Sequence, residues 1–103
     1  METVDCLDEA GFDDAIAEGR VVVDFYNEAC APCEQMAPMM EDLAQELAGT
    51  VKFFKVNTAE HADLAADYNI RSVPTFMLFE DGEKRSQVTG TYSREQFVAW
   101  VKI

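Results

Sequence analysis

Apolar residues along this chain change period several times, and each change marks an element. Phe12, Ala15 and Ile16 fall at helical spacing and Gly19 follows, which predicts a short helix. Val21-Val22-Val23-Asp24-Phe25-Tyr26 is too apolar for a half-exposed strand and predicts a central one covered on both faces. Cys33, Met36, Ala37, Met40, Leu43, Ala44 and Leu47 then recur at the 3.6-residue period of one helix face. Glu34, Gln35, Glu41, Asp42, Gln45 and Glu46 take the opposite face, and Gly49 stands where a C-cap glycine belongs. Pro38 lies inside this helix, removes one backbone donor and predicts a kink. Val51 to Val56 is another strand, followed by a short helix around Leu64 and Ala65 that ends near Tyr68-Asn69. Thr75 to Phe79 reads as a strand, Asp81-Gly82 as a hairpin turn, and Lys84 to Thr89 as its polar partner. Ser93 and Gln96 form a capping box for a last helix that packs Phe97, Trp100 and Val101.

Strands alternating with helices and closing on a hairpin describe an α/β domain, a mixed sheet with helices on both faces. The 103 residues suffice for a single domain, 1–103, and nearly half are apolar, so the core needs no staples. The charge narrows the function classes. Eight basic against twenty acidic residues leave a formal net charge of −12, unsuited to nucleic acid or an anionic membrane surface. No apolar run approaches the roughly 20 residues that span a bilayer. The opening Met1-Glu2-Thr3-Val4-Asp5-Cys6 lacks the basic and apolar regions of a signal peptide, so a cytoplasmic location is expected. In a reducing compartment a cysteine pair is more often catalytic or metal-binding than a structural staple.

Cys30 and Cys33 stand where the first long strand meets the long helix. That spacing, on the first turn, brings both sulfurs within disulfide reach. Cys33 opens the apolar stripe and is expected to be buried; Cys30 is expected to be exposed at the helix start, where free N–H groups and the helix dipole favour a thiolate. Pro32 suits a first turn that has no use for its missing N–H. A redox dithiol is the leading reading, against half of a metal site or a passive disulfide. Zinc wants four ligands, and among soft donors only Cys6 and His61 remain, in no recognisable spacing, so no metal is expected.

Asp24 interrupts the most apolar strand, and Lys55 shares a face with Val51 and Phe53 in the next. A charge buried alone costs several kcal/mol, so each needs a partner, water or a shifted pKa. Asp24 is either a buried acid with a raised pKa that takes the proton of Cys33, or half of an ion pair with no kinetic role.

These residues, together with Pro38, Ile70-Arg71-Ser72-Val73-Pro74-Thr75, Asp81-Gly82 and Gly90, resemble the thioredoxin family in order and spacing over essentially the whole chain. The resemblance implies a thioredoxin fold: a central mixed five-stranded sheet flanked by four helices, with the first and third strands beside the central second. It implies protein-disulfide reduction through Cys30 and Cys33, with Asp24 as buried acid and Lys55 as its neighbour. Pro74 would be a cis-proline against the dithiol. Val73 would bond an extended substrate segment, and Gly90, Ala29, Ala31 and Pro32 would line the same groove. It further implies disulfide-bearing client proteins, a thioredoxin reductase-type electron donor drawing on NADPH, no cofactor of the chain's own, and a monomer.

The chain departs from that pattern at the rim. Ala29 stands where the family usually carries Trp, which removes a flat contact surface. Ala31-Pro32 replaces Gly-Pro, and Glu34 replaces a common Lys, with Glu28 nearby. Both carboxylates are expected to disfavour the Cys30 thiolate and make the couple more reducing. The missing Trp also sustains an alternative, a thioredoxin-like binding module or chaperone subunit with little turnover. Cys6 reads as apolar filler or a spare thiol, His61 as solvated, and Trp100 as core.

Overall fold

The computed structural model describes residues 4–103; Met1–Thr3, on which part of the leader reading rests, lie outside them. The described residues form β1 (Asp5–Cys6), α1 (Glu9–Ile16), β2 (Arg20–Tyr26), α2 (Ala31–Glu46), β3 (Val51–Asn57), α3 (Ala62–Asp67), β4 (Thr75–Glu80), β5 (Glu83–Thr89) and α4 (Arg94–Val101). The strands make one mixed sheet in the order β1-β3-β2-β4-β5. β2 is central, parallel to β3 and antiparallel to β4, and β5 returns antiparallel to β4.

Strand alternation sorts the core into two layers. Val22, Phe53, Phe76 and Leu78 meet Met36, Met40 and Leu43 of α2 and Phe97 and Val101 of α4. Val21, Val23, Phe25, Val56, Met77 and Phe79 meet Phe12 and Ile16 of α1 and Leu64 of α3 on the other face. Residues 21 to 25 are all buried, as a strand covered on both sides requires. The turn at Asp81-Gly82 has both residues at positive φ (50° and 87°), the signature of a two-residue hairpin turn. The capping box of α4 is present in both directions.

Two expectations need correction. The first strand does not flank the second: β1 pairs only with β3, Asp5 with Phe54 and Cys6 with Lys55, because β4 occupies the other edge of β2 over six residue pairs. The long helix begins at Ala31 with Cys30 as its N-cap, in keeping with Cys30 at the helix start and Pro32 in the first turn, and the apolar stripe opens two residues later at Cys33. Ala37 falls on that stripe yet is exposed, because the end of the helix beside the dithiol overhangs a cleft. Trp100 is packed against the α2–α4 layer, with its indole N–H donated to the Ser86 hydroxyl (2.9 Å).

Candidate active site

β2 ends at Tyr26, and the chain turns sharply before α2. Asn27 organises that turn: its Oδ1 accepts the N–H of Ala29 at 3.0 Å. Cys30 follows as the N-cap of α2, in extended conformation, and Ala31 and Pro32 supply the first turn. The Cys30 sulfur accepts the backbone N–H of Cys33 at 3.1 Å, so it takes the place that a Ser or Asp oxygen fills at an ordinary N-cap. Cys30 and Cys33 are joined as a disulfide, with Cα atoms 5.2 Å apart. The two sulfurs are unequal. Cys33 is 4% exposed on the buried face of α2, whereas Cys30 is half-buried, less open than the sequence suggests.

What half-covers Cys30 is the loop before β4. The carbonyl oxygen of Val73 lies 3.7 Å from its sulfur, and the Val73-Pro74 peptide bond is cis. Thr75 fastens this loop by donating its hydroxyl to the Ser72 carbonyl at 2.7 Å. Gly90 sits beside it, its N–H donated to the Pro74 carbonyl at 3.0 Å, with φ +94°, where a side chain would be strained. Val73 and Gly90 are half-buried and Pro74 is buried. Ala29, Ala31 and Pro32 are exposed on the opposite rim. The anticipated groove residues therefore flank one disulfide from two sides.

Behind the disulfide, Asp24 and Lys55 are register partners on β2 and β3. Asp24 is 6% exposed, and its Oδ1 has no hydrogen-bond partner among the described residues. Burial raises its pKa from an ordinary 3.8 to about 7, with the Lys55 ammonium pulling the other way. Asp24, Cys33, Lys55, Tyr26, Glu28 and Glu34 line one cleft of about 240 Å³. Cys33 and the buried acid thus open on a common space that water can fill.

The sequence reading missed Tyr26, Asn27 and Thr75. The Tyr26 ring lies under Lys55, with Nζ 5.8 Å from its centroid, and burial followed by the neighbouring Cys6 thiol raises its phenol pKa. An Asn two residues ahead of a turn N–H was the available signal for Asn27; the other two had none. Cys6 is exposed on β1, an edge strand, so it is a spare thiol and not apolar filler. His61 is half-buried and precedes α3, where its Nδ1 meets the Glu9 carboxylate at 2.7 Å, so it is paired across elements and not simply solvated.

The family model described as Thioredoxin matches residues 3–103. The chain belongs to the thioredoxin family. Thioredoxin C-2 of Corynebacterium nephridii is 42% identical over 85 residues, which cover 82% of this chain and 79% of that protein. The thioredoxin of Rickettsia felis is 37% identical over 81 residues, 79% of this chain and 77% of that one. Thioredoxin M2, chloroplastic, of Arabidopsis thaliana is 45% identical over 74 residues, 72% of this chain and 40% of that longer one. With its vicinal cysteines bonded at the head of α2, this member of the thioredoxin family is a thiol–disulfide oxidoreductase, a protein-disulfide reductase. Neither the geometry nor the relatives favour the binding-module alternative. No helix among the described residues is long and apolar enough to cross a membrane.

Proposed function

We propose that Cys30 is the attacking thiol, Cys33 the resolving one, and Asp24 the base that serves Cys33. The observation that carries this assignment is the capping geometry: the Cys30 sulfur, half-exposed, receives the Cys33 N–H at the positive end of a 16-residue helix. The Cys30 thiolate attacks one sulfur of a client disulfide, a Cys30–client bond forms, and the first client thiolate leaves and takes a proton. Cys33 then gives its proton to Asp24 through the shared cleft. The Cys33 thiolate attacks the Cys30 sulfur, and the second client thiolate departs and takes the proton that Asp24 held. Two electrons and two protons have passed to the client, and the Cys30–Cys33 disulfide remains.

Lys55 positions the Asp24 charge: an ammonium beside it limits how far burial raises the pKa, which keeps the acid able to cycle near neutral pH. Val73 and Gly90 offer backbone groups to an extended client segment, with Pro74 shaping the groove and Ala29, Ala31 and Pro32 the facing rim. A reductase that draws on NADPH regenerates the dithiol, and the chain itself holds no cofactor. We place this cycle in a reducing compartment such as the cytoplasm. Reduction of insulin disulfides with a chemical reductant supplied tests the assignment. Wild-type protein is expected to turn over and Cys30→Ser to be inert; turnover by Cys30→Ser overturns it.

A further inference from the structure

The cleft behind the dithiol holds more negative charge than proton relay requires. Glu28, in the turn after β2, and Glu34, in the first turn of α2, both line it, and both are exposed. Asp24 forms its depth with an oxygen that has no hydrogen-bond partner among the described residues. Three carboxyl groups, two of them exposed, thus share the cleft with one ammonium, Lys55, which is also drawn over the Tyr26 ring. At about 240 Å³ the space admits several waters or the end of one long side chain. Cys33 is part of the same wall and is bonded to Cys30, so the cleft adjoins the sulfur that a client disulfide meets. Arg71, on the loop leading to Val73, is exposed and bonded through Nε to the Asn69 side chain at 3.2 Å, directed at its own loop.

We infer that Glu28 and Glu34 are specificity-determining residues that select client disulfides flanked by Lys or Arg, with the cationic group received at the mouth of this cleft. The inference rests on the dithiol reading above and adds a substrate class to it. A client ammonium or guanidinium there gains two exposed carboxylates. A client carboxylate meets repulsion from the same pair, reinforced by the overall charge of −12. The chemistry of exchange is unchanged, and selection acts on encounter and KM.

The test uses three disulfide-linked peptide dimers, acetylated and amidated Lys-Cys-Lys, Ala-Cys-Ala and Glu-Cys-Glu, each reduced by wild-type protein and by E28Q/E34Q. Intrinsic peptide reactivity cancels in the ratio between the two proteins. The ratio of kcat/KM for the basic over the acidic dimer is expected to be about tenfold larger for wild type than for E28Q/E34Q at low salt. The difference should lie in KM, and it should collapse near 1 M salt, where the screening length is about 3 Å. An equal ratio in the two proteins, or one indifferent to salt, overturns the inference while leaving the dithiol intact. Failure of wild type on the Ala-Cys-Ala dimer would instead strike the underlying redox reading.

Discussion

A buried acid that keeps its proton to about pH 7 has a thermodynamic signature independent of catalysis. Asp24 titrates near 3.8 when unfolded and near 7 when folded, so between those values the native state binds the extra proton. Stability is therefore full below about pH 4 and falls as pH rises toward 7. Asp24→Asn removes that loss: it should stabilise the fold at pH 8 by up to about 4 kcal/mol, with the gain vanishing near pH 4, in denaturant melts across pH. The same variant should slow Cys33 resolution, seen as build-up of mixed disulfide below pH 8. Asp24 was legible because one carboxylate broke an apolar run, but the choice between a raised-pKa acid and an ion pair needed the depth of its burial beside Lys55. Tyr26 under Lys55 was not legible, since that contact depends on the relation of β3 to β2 across the sheet.

At the scale of elements, the head of α2 is expected to tune the redox couple. Its dipole and free N–H groups favour a Cys30 thiolate, and Glu34 in the first turn opposes it. Glu34→Lys should stabilise the thiolate and hence the reduced form, making the potential less negative by roughly 10–20 mV, for a couple in which 30 mV is about 1.4 kcal/mol. Equilibration against glutathione measures it, and an unchanged or more negative value contradicts the account. The helix itself was legible from its stripe, from Met36 through Leu43 to Leu47. Its start was legible from Cys30 and Pro32, although Ala31 and Pro32 are exposed and leave no periodic trace. The placement of β1 was misjudged. Asp5 and Cys6 are both exposed, so no apolar pattern reports which strand they pair with.

The whole molecule is two apolar layers against one sheet, and the site lies where β2, α2 and the loop before β4 converge. The layers hold the geometry without taking part in the chemistry. Leu43→Ala, at a fully buried position of the α2 layer, should cost about 3 kcal/mol in urea melts. Insulin reduction per folded molecule should persist in that variant, because Cys30, Cys33 and Asp24 do not depend on its volume. The α/β class and the two-sided burial of β2 were readable from the period changes along the chain, while the pairing partners of the short edge strand needed the fold. The division of labour between the cysteines is the central claim, and a trap measures it most directly. Cys33→Ser incubated with a peptide disulfide should accumulate a stable adduct that peptide mass mapping places on Cys30, while Cys30→Ser should accumulate none at Cys33. An adduct formed on Cys33, or on the exposed Cys6 in its place, would contradict the account.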